Sequence, residues 1–318
     1  MFLQILLLLV GLGLVVGGSN YLVDGASSVA RRFGISEFVI GLTIVGMGTS
    51  APEMVVSFIG ASQGNADIAI GNVVGSNIFN TLLILGLTAL ILPIPITRGN
   101  LRKDIPMNIV ITVLLVVLGL EKTFFGFGSD GLSRCDGAIL LALFIGYMTW
   151  SFYKQENADA PSGEKPRNPW LSALMILGGL AALVYGGNLF VDSATAIAKG
   201  LGVSDKFIAI TLLAGGTSMP ELATCVAAAV KKKGQLALGN IIGSNIFNIL
   251  LILGGSALIH PLTFTGIGYV DLGALLVSAL ALLACCYVGK RNLLDRLDGV
   301  LFLLIWAAYM TWLVIQQL

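Results

Sequence analysis

Two glutamates stand where a carboxylate is costly. Glu53 closes the run "GMGTSAPE" (46–53) and Glu221 closes "GTSMPE" (216–221), and each lies in a stretch that is otherwise almost wholly apolar. An ionised carboxylate at the centre of a membrane-spanning helix costs about 2.5–3.5 kcal/mol, so such a group faces protein or a water-filled path rather than lipid. A proline precedes each one. Pro52 and Pro220 carry no N–H, which deprives the carbonyls of Gly48 and Gly216 of their helical partners and biases Ala51 and Met219 away from helical dihedrals. The sequence thus predicts a helix broken at each motif, tolerated at membrane depth where its freed carbonyls line a site. Thr49, Ser50, Thr217 and Ser218 set hydroxyls three or four residues before the acids. Further on, Asn72, Ser76 and Asn80 recur every four residues as a polar stripe on an apolar helix, and Asn240, Ser244 and Asn248 repeat it. Gly71 with Gly75, and Gly239 with Gly243, are spaced to let another helix approach closely.

Pooled, these residues offer two carboxylates, backbone carbonyls and Ser, Thr and Asn oxygens, with no His or Cys in either motif. That donor set suits a hard cation. Calcium takes 6–8 oxygens at about 2.3–2.6 Å in flexible geometry, and two carboxylates balance its charge; zinc and copper favour imidazole or thiolate. Sodium can use the same oxygens at lower charge. His260 lies outside both motifs and reads as an interfacial residue, and the four cysteines read as small hydrophobes. Neither motif sets a nucleophile beside a His or Lys base, which argues against an enzyme. A channel remains open as an alternative to a transporter.

The elements that must hold these groups follow from composition. Of 318 residues 56% are hydrophobic and 11% charged, against roughly 45–50% and 25% in a soluble domain, so the chain reads as an integral, multi-pass membrane protein whose partners are the bilayer and small inorganic cations. A net charge of +1 speaks against a nucleic-acid partner. Ten stretches lack Lys and Arg and approach the roughly 20 residues that cross a hydrocarbon core: 2–23, 37–61, 67–92, 105–120, 137–153, 170–191, 207–230, 235–259, 265–288 and 299–316. The first has no basic lead-in and exceeds a signal-peptide core, so it is read as a mature helix. Ten spans gather the loops at 24–36, 93–104, 154–169, 231–234 and 289–298 on one side, where they hold 14 of the 18 Lys and Arg. That side is expected to be cytoplasmic, with both termini outside. Asp24 and Asp192, at the ends of the first and sixth stretches, are expected to cap helices, or else to stand at the mouth of an ion path.

Shifting the sequence by 168 residues aligns 18–86 with 186–254 without a gap and with 30 of 69 positions identical. The chain is an internal duplication. Five stretches separate equivalent positions, an odd number, so the second copy enters the membrane from the opposite side. Charge agrees: "QGN" (63–65) answers "KKK" (231–233), and "RR" (31–32) answers "KG" (199–200). The predicted fold is an all-α membrane protein of ten helices in two inverted five-helix repeats, 1–153 and 170–318, joined by a polar cytoplasmic linker at 154–169.

The paired runs "GTSAPE…GNVVGSNIFN" and "GTSMPE…GNIIGSNIFN" resemble the two alpha-repeats, about 37–92 and 205–259 here, of the calcium/cation antiporter superfamily, and within it the prokaryotic sodium/calcium exchangers. The resemblance covers nearly the whole chain. It implies an antiporter of Ca2+ against Na+ in a prokaryotic plasma membrane, with no cofactor, working by alternating access as the first and sixth helices slide across a core. It implies Glu53 and Glu221 as central ligands, with Asn80, Asn248, Ser50, Ser218, Ser76 and Ser244 in support and carbonyls from Gly46, Thr49, Ala214 and Thr217. Some relatives have Asp at the position of Asn248; Asn in both repeats lowers the expectation of potassium co-transport. Exchange of Ca2+ or another cation for H+ or K+ is the alternative within the family.

Overall fold

The computed structural model describes residues 2–126, 130–153, 166–201, 215–264, 267–288 and 292–316. Its helices are α1 (Phe2–Phe33), α2 (Glu37–Thr49), α3 (Ala51–Ser62), α4 (Ala66–Ile91), α5 (Ile105–Gly119), α6 (Glu121–Phe125), α7 (Arg134–Tyr153), α8 (Pro169–Gly200), α9 (Met219–Val230), α10 (Gly234–Ile259), α11 (Tyr269–Tyr287) and α12 (Arg296–Gln316). Among the described residues six of these are long and apolar enough to cross a membrane, namely α1, α4, α8, α10, α11 and α12, and the bent pair α2–α3 makes a seventh if it is one span. Each of the ten stretches read from the sequence overlaps a helix. The other three fall on α5 and α9, which have only 15 and 12 residues, and on α7, which carries Arg134 and Asp136 in its first turn. Residues 202–214, which precede α9 and include Ala214, lie outside the described residues, as does 154–165 of the linker.

Burial separates core from rim. In α10 94% of the apolar window is buried and in α4 67%, against 22% in α1 and 11% in α12. A helix at membrane depth that carries the polar stripe Asn240, Ser244 and Asn248 must turn it towards protein rather than lipid, and in α10 all three are buried. Glycine lets its neighbour in: a Cβ on Gly239 would stand 2.1 Å from the Phe38 carbonyl oxygen, and one on Gly243 2.2 Å from that of Leu42. Both contacts are with α2, as the small-residue spacing predicted. For Gly71 and Gly75 the equivalent close approach is not found among the described residues; the nearest atom to a Cβ on Gly71 is Ile267 Cδ1 at 3.6 Å. Their counterpart partner would fall on 206–210, outside that set. At the rim, α1 and α8 cross through Gly18 and Gly179, each within 2.8 Å of the other's carbonyl oxygen if given a Cβ.

Two features of the broken helix correct the sequence reading. The bend between α2 and α3 is 47°, but the residue that leaves helical dihedrals is Ser50 (φ −80°, ψ 8°), with Ser218 (φ −86°, ψ 8°) matching it before α9. Ala51 and Met219 instead open the next helix. Proline fits a first helical turn, where its missing N–H has no intrahelical partner to lose, so the helix restarts one residue early and the break moves back. The helices also depart from 3.6-residue winding: π turns span Gly41–Val45, Phe79–Ile84 and Asn248–Leu253. The last two begin within one residue of Asn80 and Asn248, and π turns recur at functional sites because they re-aim side chains.

Asp24 and Asp192 are not helix caps. α1 runs nine residues past Asp24 to Phe33 and α8 runs on to Gly200; the arrival of charged residues ends an apolar span, not a helix. Gly34, at φ 65°, turns the chain out of α1, and Ser36 Oγ then caps α2 by accepting from Val39 N at 3.2 Å. Asp24 instead binds Lys231 Nζ through Oδ1 at 2.6 Å, with Arg167 Nη2 3.7 Å from Oδ2. On the same face Lys233 Nζ lies 3.8 Å from Glu37 Oε1, and Ile94–Pro95 (β1) pairs with Leu293–Leu294 (β4). Gly131–Leu132 (β2) pairs with Leu262–Thr263 (β3).

Candidate ion-binding site

Glu53 on α3 and Glu221 on α9 are 1% and 0% exposed, and their hydrogen bonds cross between the two copies of the motif. Ser50 Oγ donates to Glu221 Oε1 at 3.0 Å; Ser218 Oγ donates to Glu53 Oε1 at 3.1 Å. Thr49 Oγ1 donates to Asn240 Oδ1 at 3.2 Å, and Thr217 Oγ1 to Asn72 Oδ1 at 3.3 Å. Each bond has a twin with both numbers exchanged through the 168-residue shift. The bend explains how this is possible: with ψ near 8°, Ser50 and Ser218 turn their hydroxyls across to the opposite acid instead of back along their own helix.

The remaining oxygens are what a cation needs. Glu53 Oε2, Glu221 Oε2, Ser76 Oγ, Asn80 Oδ1 and Asn248 Oδ1 are buried and accept from no donor among the described residues. A buried oxygen left so costs about 1–3 kcal/mol, and five of them belong to the two motifs. Ser244 Oγ lies 3.4 Å from both Glu221 Oε1 and the Gly46 carbonyl oxygen, so that carbonyl is within the same cluster. The residues present therefore fit an oxygen-ligated cation as cargo, with every donor hard and two of them anionic.

Of the residues singled out in the sequence, Glu53, Glu221, Ser50, Ser218, Thr49, Thr217, Gly46 and Ser244 are joined by these bonds, and Ser76, Asn80 and Asn248 contribute open oxygens. Asn72 acts from behind, donating through Nδ2 to the Glu53 carbonyl and to Ser57 Oγ, both at 3.0 Å. Asn240 does likewise with Cys225 Sγ at 3.3 Å, so that cysteine, read as a plain hydrophobe, also accepts a bond. His260 ends α10 and is exposed, away from the cluster. Two participants were missed. Asn77 and Asn245 bond across α4 and α10 to Asn248 and Asn80. They lie one residue off the four-residue stripe, and the available signal was their identity in both copies of "GSNIFN".

A model of the sodium/calcium exchanger protein family matches residues 3–153 and 171–315. The chain belongs to that family. Among its exchanger-family relatives, CaxA of Alkalimonas amylolytica is 37% identical over 326 residues, 97% of this chain and 98% of CaxA. The sodium/calcium exchanger MaX1 of Methanosarcina acetivorans is 33% identical over 339 residues, 96% of this chain and 97% of MaX1. The solved structure of the sodium-calcium exchanger NCX_Mj, soaked with 2.5 mM Na+ and 0.1 mM Ca2+, matches with a TM-score of 0.84 at 36% identity over 98% of both chains. This exchanger-family chain thus has the multi-pass helical membrane fold of NCX_Mj.

Proposed function

We propose that this chain is a secondary active antiporter that carries Ca2+ one way across a prokaryotic plasma membrane while Na+ moves the other way. The observation that carries the reading is the crosswise bonding of Ser50 to Glu221 and Ser218 to Glu53 around buried oxygens that no donor among the described residues satisfies. Ca2+ and Na+ compete for one oxygen shell made by Glu53, Glu221, Asn80, Asn248, Ser50, Ser218, Ser76 and Ser244, with carbonyls of Gly46, Thr49, Ala214 and Thr217. The names of MaX1 and NCX_Mj support the choice of ions.

The same proposal takes the chain as ten spans in two inverted repeats, 1–153 and 170–318, with the linker at 154–169 cytoplasmic and both termini outside. Support comes from the odd number of stretches between copies and from the opposite basic charge of equivalent loops. Further support is the face on which Asp24, Arg167, Lys231, Glu37 and the β1–β4 pair meet, since it joins all five of the basic loops. Two similar halves that exchange conformations convert an inward-open state into an outward-open one. The α1–α8 pair, glycine-lined and mostly facing outward, is the body that slides.

Purified protein in sodium-loaded vesicles is expected to take up radiolabelled calcium only while an outward sodium gradient lasts. Uptake driven equally by potassium or proton gradients in the absence of sodium would remove the sodium half of the proposal. No calcium uptake by folded protein under any of these gradients would remove the rest.

A further inference from the structure

Asn77, Asn80, Asn245 and Asn248 form a relay where α4 crosses α10, and one bond in it fixes the direction of the others. Asn77 Nδ2 donates to the main-chain carbonyl of Asn245 at 3.1 Å. A carbonyl only accepts, so the nitrogen end of the Asn77 amide must face it and Asn77 Oδ1 is turned the other way. That oxygen meets Asn248 at 2.9 Å, and only the Nδ2 of Asn248 can donate to it. Asn248 Oδ1 is thereby turned away from Asn77, and it is one of the buried oxygens without a donor among the described residues. In the other half Asn80 Nδ2 donates to Asn245 Oδ1 at 3.2 Å while Asn245 Nδ2 donates to Thr81 Oγ1 at 2.8 Å. Asn80 Oδ1 is likewise left open.

An asparagine ligand has this problem and a glutamate does not. The two ends of an amide have nearly the same shape, but one is an acceptor and the other carries two N–H groups that repel a cation. We propose that Asn77 and Asn245 are positioning residues for ion transport: Asn77 of the first copy holds the Asn248 amide oxygen towards the ion, and Asn245 of the second does the same for Asn80. The inference rests on Asn80 and Asn248 being ligands, as proposed above. It also orders the two. Asn77 is anchored on a carbonyl, which has one role, whereas Asn245 is anchored on the Thr81 hydroxyl, which can donate or accept by rotating; Ile249 stands where a second hydroxyl would be. Loss of Asn77 therefore costs more than loss of Asn245.

A double-mutant cycle separates orienting from packing. An aspartate at 248 presents acceptors at both ends and needs no orienting, so Asn77→Ala should matter with Asn248 and not with Asn248→Asp. In the native background Asn77→Ala is expected to raise the calcium concentration for half-maximal transport by about 10–100-fold, as lost outer-shell partners do. In the Asn248→Asp background the same change is expected to raise it by no more than about twofold, because the Asn77 oxygen held towards position 248 offers a carboxylate no hydrogen to lose. Calcium-dependent thermal stabilisation of the purified protein gives a second readout without transport. Equal losses in both backgrounds would reduce Asn77 to a packing role and overturn the proposal. If Asn248→Ala left the calcium dependence unchanged, the ligand assignment itself would fall, a distinct result. Should Asn77→Ala fail to fold, Asn245→Ala with Asn80→Asp runs the same cycle by the same criterion.

Discussion

Replacing Glu53 or Glu221 by glutamine is expected to leave a folded protein that no longer carries calcium. Glutamine keeps the size of the side chain and an oxygen for the Ser218 or Ser50 hydroxyl, so the crosswise bonds and the bend at Ser50 and Ser218 persist. What disappears is one of the two negative charges that the proposed site sets, buried, against a divalent ion. Unit charges 4 Å apart interact by about 4 kcal/mol at an effective dielectric of 20. An ion in direct contact is closer and doubly charged, while the wild-type carboxylate spends part of that gain on its own burial. A net loss of about 3 kcal/mol or more, at least 100-fold in half-saturating calcium, follows at about 1.4 kcal/mol per tenfold. Sodium, with half the charge, is expected to lose less, so the variants shift in selectivity as well as in affinity. Calcium uptake and ion-dependent thermal shifts measured on both variants check this. Transport at the wild-type level in either one would return that glutamate to a structural role.

A comparable effect on folding is expected at residues that touch no ion. Gly239→Ala or Gly243→Ala would bring a Cβ to 2.1 or 2.2 Å from the carbonyl oxygens of Phe38 and Leu42. These are backbone atoms and cannot rotate aside. α2 would have to retreat from α10 by about an ångström, moving Gly46 and Thr49 with it; overpacking typically costs about 1–3 kcal/mol and occasionally more, and a clash of backbone with backbone belongs at the upper end. We expect little folded protein from either variant, or a thermal midpoint lowered by many degrees with no calcium stabilisation left. Gly17→Ala, with nothing within 4 Å of its Cβ among the described residues, is the matched control. Ordinary stability of Gly243→Ala would mean that the contact between α2 and α10 is looser than the structure has it.

The grouping of the candidate site was legible in the sequence because its residue types stand out in apolar surroundings. Glu53 and Glu221 stand out against apolar surroundings, and duplication marks the same residues twice. The fold was legible as far as hydropathy reaches. Each of the ten stretches overlaps a helix, but α6 (Glu121–Phe125) lies in none of them, and hydropathy does not show where α1 and α8 stop, because a helix can run beyond its apolar span into charged residues such as Asp24 and Arg31. The proline rule found the break and misplaced it by one residue, since Pro52 is compatible with the first turn of α3. Least legible was what depends on pairing between distant segments. Asn77 looks like any motif asparagine until α4 is laid across α10, and Gly41, whose Cβ would stand 2.4 Å from the Leu236 carbonyl oxygen, has no sequence mark at all.

The Ser50–Glu221 and Ser218–Glu53 bonds have a bearing on ancestry. Each acid is steadied by a hydroxyl from the other copy, so neither copy makes this bonded cluster alone. On the proposed inverted arrangement, a forebear with one copy would have needed two molecules, set head to tail in the bilayer, to assemble the same oxygens. Fusion of the gene to itself would then have made permanent a partnership that selection already favoured.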